Sequence, residues 1–287
     1  MSSVYNNCVK FIKTNYIYVV WSAINFFISF LMLGANIFSF IFCLSLYVIS
    51  FHLALSSVGE RLLRIINNVR SLETRREKEY LIPIFKDIYE DVKQEYPHLK
   101  DIEICIIDNL TINAFALGKH TIAVTRGAIE TFTEDELKGI ILHEFGHIIH
   151  GDTKAVLLNL IGNGFFSIFI VFIKILLLCI DIVFLSTDKN PKRRPSFICI
   201  LLHFIFTLFL LAFTLTGNIL ISINSRKNEY RADGFAYEIG YGEDLISALY
   251  LLQKMSLGED MRLVQRMQSS HPHIAKRIGR LEALEEQ

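Results

Sequence analysis

Apolar and polar positions fall in long blocks along this chain. Residues 1–15 are polar, with Lys10 and Lys13; residues 16–55 then run almost continuously apolar, without one charged side chain. A membrane-crossing helix needs about 20 such residues, so this block is too long for one crossing and suits two. Gly34-Ala35-Asn36 marks the reversal between them. A cleaved signal peptide is the rival reading, but the block outruns a signal core and no small-residue cleavage site leads into polar sequence. Residues 56–95 are charged but periodic. Val58, Leu62, Ile65, Ile66, Val69 and Leu72 form one stripe, and Leu81, Ile84, Phe85, Ile88, Val92 and Tyr96 another. That spacing predicts two amphipathic helices, broken near residues 73–78 and with Pro83 early in the second. Residues 102–107 and 121–125 read as strands, joined by a turn-rich link over 109–119. Residues 133–152 read as a helix with a Thr133/Glu136 capping box and Gly151 just past its last turn. Residues 155–186 and 196–223 are again long and apolar enough to cross a membrane, with Lys189, Lys192, Arg193 and Arg194 in the loop between. Lys174 and Asp181 interrupt the first of these segments and are expected to face the bundle or lie near its ends. The rest is polar and helical.

This pattern describes an α+β, mostly helical protein in five parts. They are an N-terminal segment (1–15), a transmembrane hairpin (16–55), the first part of a polar α+β unit (56–154), a second hairpin (155–223) and the second part of the unit (224–287). Composition agrees: 52% of the 287 residues are hydrophobic and mean hydropathy is +0.39, so a lipid bilayer is an expected partner. Formal net charge is +0, which gives no electrostatic footprint for nucleic acid. The five cysteines form no C-x-x-C pair and indicate neither disulfides nor a cysteine–metal site.

Inside the helix at 133–152 lies His143-Glu144-Phe145-Gly146-His147. Residues four apart share a helix face, so His143 and His147 can aim two imidazole nitrogens at one ion. A catalytic Zn²⁺ takes a third protein ligand and keeps a position for water. Glu144 points beside the metal, where it can act as general base. The bland alternative is a solvated helix face with two ordinary histidines. For the third ligand the best candidate is Glu229, because Asp233 follows four residues later on the same face. One carboxylate can bind metal while the other accepts the free ring N–H of a liganding histidine. His52, His98, His120 and His203 are isolated, and His150 suits the helix C-terminus.

Several segments together resemble the M48 family of zinc metallopeptidases, specifically its HtpX-like membrane proteases. They are Asn113-Ala114-Phe115-Ala116, Ala123-Val124-Thr125-Arg126-Gly127, the His143–His147 motif, Ser225 through Asp233, and His271-Pro272 through Arg277-Ile278. The resemblance implies a zincin-like metalloprotease domain with four transmembrane helices in two hairpins. It implies one Zn²⁺ per chain on His143, His147 and Glu229, with Glu144 as general base and Asp233 hydrogen-bonded to a liganding histidine, His143 being the expected one. His271 is a candidate oxyanion donor, with His273 as the alternative, and Arg277 an ion-pair partner. Asn113, Ala114 and Phe115 would flank a cleft where an extended substrate pairs by β-augmentation. Expected substrates are proteins and peptides, membrane proteins in particular, in membrane-protein quality control. Lys10, Lys13, Arg61, Arg64, Arg70, Lys154, Arg226 and Lys227 lie on the catalytic side of a four-crossing topology. By the positive-inside rule that side faces the cytoplasm of a bacterial-type inner membrane, although the Lys189–Arg194 loop argues the other way. Two rivals remain. An intramembrane protease is disfavoured by Glu134, Asp135, Glu136, Lys138 and Asp152 on the motif helix. A catalytically silent membrane scaffold or metal sensor is separated from an enzyme by turnover.

Overall fold

The computed structural model describes residues 9, 12–99, 101–187, 197–255 and 272–286. Residues 9 and 12–14 are helical, and two apolar helices follow, α1 (Tyr16–Met32) and α2 (Ile37–Ala54). The reversal falls where expected: Gly34 and Ala35 take positive φ, and the Asn36 side chain caps α2 by accepting from Ser39 N–H. Next come α3 (Ser57–Ile66), the two-residue strand β1 (Val69–Arg70) and α4 (Arg75–Glu95). The stripe through Val69 and Leu72 is therefore not one helix. Asn68 turns the backbone to φ 54, and Val69 pairs with Ile107 instead. Helix α4 begins at a Thr74/Glu77 capping box and carries Pro83 within it.

Strands β2 (Glu103–Ile107), β3 (Ala114–Leu117) and β4 (Thr121–Thr125) complete a sheet in the order β1-β2-β4-β3. The two expected strands, β2 and β4, pair in parallel. The link between them is not merely turn-rich: it contains β3, antiparallel to β4 and at the sheet edge. Four residues without apolar–polar alternation leave no periodic signal. After β4 come α5 (Arg126–Thr131), α6 (Glu134–His150), α7 (Asp152–Thr187), α8 (Phe197–Glu238), α9 (Gly242–Met255) and α10 (Ile274–Glu285). The core joins one face of α4 (Ile84, Ile88, Val92), the sheet (Ile104, Ile122, Val124), α6 (Leu137, Ile141, Phe145), Phe235 of α8, Leu245 of α9 and Ile278 of α10. Cys105 is buried in β2; burial pushes its thiol up to about 11, so it behaves as an inert apolar residue.

Helices α7 and α8 run unbroken across residues 154/155 and 223/224, so apolar segments and polar unit share rigid rods. Among the described residues two stretches are long and apolar enough to cross a membrane, Ile37–Ala54 and Ile200–Glu238; Tyr16–Met32 and Ile170–Cys179 are shorter apolar stretches. Helix α1 packs on α2, α7 and α8, and α2 also packs on α7. Polar groups join them: the indole N–H of Trp21 and the amide of Asn25 both donate to Asn163 Oδ1, at 2.9 and 3.2 Å. A Cβ on Gly217 would lie 2.7 Å from the Trp21 ring, so α8 approaches α1 closely there. Small residues and buried amides are the usual means of packing helices in lipid.

An ionic cluster ties β1 to α4 and the sheet. Arg70 donates to Glu77 at 2.8 Å and Asp108 at 2.6 Å, and Arg126 donates to Asp108 at 2.7 Å. Arg70, ahead of Arg126, holds Asp108 at about 2, and Arg70 holds Glu77 well below the carboxylate range. Both folded values lie below the unfolded values of about 4. The stabilisation is therefore complete above about pH 4.5 and is lost as pH falls toward 2. Thermal unfolding between pH 5 and pH 2 should show a falling midpoint, with a shallower fall in Arg70→Met. Equal slopes would exclude the cluster as the cause.

Candidate metal centre

The site is built where α6 crosses α8. Helix α6 starts at the expected Thr133/Glu136 capping box and ends at Gly151, which takes φ 75. Gly146 makes the crossing close: a Cβ there would sit 3.0 Å from Ala232 Cα. This contact sets His143 and His147 on one rod against Glu229 and Asp233 on the other. The two Nε2 atoms of His143 and His147 lie 3.2 Å apart. Glu229 Oε1 is 3.4 Å from His147 Nε2, and its Oε2 is 3.6 Å from His143 Nε2. His143, Glu144 and Glu229 are all buried.

Each imidazole is held from behind. His143 Nδ1 lies 2.9 Å from Asp233. His147 Nδ1 lies 2.9 Å from Asp152, a partner the sequence reading did not assign. Arg231 fastens Asp152 from the other side and also donates to Asn228 at 3.2 Å. Arg277 forks onto Asp233 through Nε at 2.9 Å and a terminal nitrogen at 2.6 Å. Its other terminal nitrogen is 3.3 Å from Glu229. When the Nδ1 protons face carboxylates, both Nε2 lone pairs face each other, and a cation between them relieves the repulsion. The electrostatics point the same way. Desolvation disfavours a charged His147, but Asp152, Glu229 and Glu144 outweigh it and push its pKa up to about 10. Desolvation and Arg277 likewise oppose a charged His143, and Asp233 and Glu229 outweigh both. Burial opposes ionisation of Asp233, yet His143 and Arg277 hold its pKa below the carboxylate range. The pocket therefore stabilises positive charge where the histidine nitrogens meet.

Donor atoms of His143, Glu144 and His147 all lie within 4.8 Å of one another, close enough to hold a metal ion. Glu144 is drawn to one side, because its Oε2 accepts the N–H of Ala116 in β3 at 2.9 Å. Glu229 contacts both Nε2 atoms and is the better third donor. The Asn113-Ala114-Phe115 segment leads into this strand. Asn113 is pinned by its backbone to Thr125, and Ala114 and Phe115 pair with Val124 and Ala123. The opposite edge of β3 has no strand partner among the described residues. His150 does not join the site; its ring meets Phe235 edge-on at 6.0 Å. His273 caps α10, accepting from Ala275 N–H at 3.3 Å, and His271 lies outside the described residues.

The model of peptidase family M48 matches residues 75–285. Among curated proteins, a protease HtpX homolog of Desulfotalea psychrophila is 30% identical over 203 residues, covering 63% of this chain and 67% of that one. A protease HtpX homolog of Bacillus subtilis is 28% identical over 199 residues, 63% of each chain. The crystal structure of S. mikatae Ste24p matches 98% of this chain and 66% of its own with a TM-score of 0.53; at 19% identity this likeness concerns the fold. The chain thus spans about two thirds of the length of the relatives it matches.

Proposed function

Because the chain belongs to peptidase family M48 and is HtpX-like within it, we propose that it is a membrane-embedded zinc endopeptidase. The observation that carries this reading is the convergence of His143, His147 and Glu229 on one point, with Glu144 beside it. A tetrahedral Zn²⁺ with nitrogen ligands at about 2.0–2.1 Å sets its donors about 3.3–3.4 Å apart. The separations of 3.2, 3.4 and 3.6 Å fit such an ion. Zinc held by these three side chains supplies Lewis acidity, which acidifies a water molecule and polarises a peptide carbonyl.

The chain's own residues do the rest. Glu144 takes the proton from the attacking water and returns it to the leaving amine. Ala116 N–H keeps that carboxylate aimed at the site. Asp233 and Asp152 fix the tautomer and orientation of His143 and His147. The edge of β3 away from β4, where Ala116 N–H already holds Glu144, accepts an extended peptide through its remaining backbone groups, with Asn113, Ala114 and Phe115 along the cleft. The expected oxyanion donor is His271.

Helices α1, α2, α7 and α8 form two membrane hairpins, a reading supported by their mutual packing and by the apolar lengths of α2 and α8. Residues 56–154 and 224–287 then form one catalytic unit facing the cytoplasm of a bacterial-type inner membrane. Glu229 lies six residues past Ile223, about 9 Å along the helix. The metal would therefore sit close to the membrane surface, suited to loops and ends of damaged membrane proteins.

Casein hydrolysis by the detergent-purified protein tests the reading. It should be lost with a chelator and restored by zinc; activity indifferent to both would remove metal from the account. Asp152→Asn should weaken zinc binding about 10–100-fold, as outer hydrogen-bond partners of ligands do, with no change in fold. Unchanged affinity by competition titration would reduce Asp152 to a structural ion pair.

A further inference from the structure

Helix α3 turns its apolar side away from the protein. Ile65 and Ile66 are each 71% exposed, and Val58 and Leu62 are exposed beside them. Gly59, Glu60, Leu63 and Arg64 form the inward side. The position of this helix is fixed. A Cβ on Gly59 would lie 2.4 Å from the carbonyl oxygen of Leu53, so α3 folds tightly against the last turn of α2. Ser56 caps α3 through Gly59 N–H and donates to Leu53 O at 2.6 Å. The exposed apolar side therefore begins where the apolar span of α2 ends, the depth of a bilayer's interface. Arg61 is exposed at the border of that side, as a cation that reaches anionic headgroups would be.

The inward side grips the β3–β4 turn. Glu60 Oε1 accepts from Thr121 Oγ1 at 2.6 Å and His120 N–H at 3.2 Å. Arg64 donates to Thr121 Oγ1 at 2.6 Å and pairs with Glu103 at 2.9 Å. Gly118 takes φ 58, and a Cβ there would lie 2.9 Å from the Glu60 carboxylate. This turn ends β3, the strand that holds Glu144.

We propose that α3 lies in the bilayer surface, with Val58, Leu62, Ile65 and Ile66 among the lipid chains, and fastens the β3 edge to the membrane through Glu60 and Arg64. A short helix with one apolar and one charged side sits about 5–10 Å into the headgroup boundary. The membrane thereby sets the height of the strand on which a peptide would be laid. The inference rests on the reading that α2 spans a bilayer.

The test uses the full chain with its native cysteines replaced by alanine, in nanodiscs containing phosphatidylglycerol. A polarity-sensitive fluorophore is placed by Ile66→Cys, Val48→Cys or Glu90→Cys, and lipids carrying acyl-chain nitroxides are added. Labels at 48 and 66 should be blue-shifted and quenched about twofold or more, as groups within the acyl region are; the label at 90 should be neither. Quenching at 48 with a water-like, unquenched label at 66 overturns the inference and leaves the membrane reading intact. A label at 66 that is blue-shifted but unquenched means a protein surface, such as a second copy, covers α3, and also overturns it. Absence of quenching at both 48 and 66 overturns the membrane reading and the inference with it.

Discussion

Glu144→Gln should abolish peptide hydrolysis while leaving zinc content unchanged. The amide keeps the shape and still accepts from Ala116 N–H through its oxygen, but it cannot take a proton. Positioned general bases contribute about 10²–10⁴-fold, so residual casein cleavage should fall by at least about 100-fold. The metal should stay, because Glu229 and not Glu144 lies against both histidine nitrogens. Activity within about tenfold of wild type would mean that another group takes the proton. Loss of zinc would mean that Glu144 is a ligand.

Arg277→Leu should cause the largest loss of stability. Arg277 is only 7% exposed and is the cation shared by Asp233 and Glu229. Its removal leaves two buried carboxylates with only the histidines opposite them, and losing one partner of a buried ion pair costs about 3–5 kcal/mol. For a chain of this size that lowers the thermal midpoint by about 10 °C. Asp233→Asn in the same chain should recover part of the loss, since it removes one of these carboxylate charges. A midpoint within about 2 °C of wild type would show that the histidines and bound metal suffice to hold the carboxylates.

The features legible in the sequence share a cause. The span 16–55, the α4 stripe and the Thr133 capping box are local patterns of apolarity or capping, and they reappear as α1, α2, α4 and α6. The i,i+4 spacings of His143 with His147 and of Glu229 with Asp233 put each pair on one helix face; which carboxylate belongs to which histidine came only from the family resemblance. What escaped depends on long-range geometry. Strand β3 consists of four apolar residues that extend by pairing with β4 and by the bond from Ala116 N–H to Glu144. Val69 continues an apolar helical stripe, but a left-handed Asn68 and pairing with Ile107 override it. Asp152 lies five residues past His147, off the helical repeat, and reaches the ring because α6 ends at Gly151 and the chain turns back. Arg231 sits between Glu229 and Asp233, and only the crossing at Gly146 turns it toward Asp152. Glycine at 146 carries a readable hint, since a helix interior tolerates it best where another backbone comes near.

In the proposed mechanism three side chains from two helices, His143, His147 and Glu229, hold the catalytic metal. The decisive experiment is zinc stoichiometry measured beside casein hydrolysis, on detergent-purified wild type and Glu229→Ala. Wild type should carry one zinc per chain and cleave casein, and Glu229→Ala should stay folded but lose both metal and activity. Full zinc occupancy in Glu229→Ala would remove Glu229 from the ligand set. Wild type that is folded, zinc-free and still able to cleave casein would contradict the metal mechanism itself.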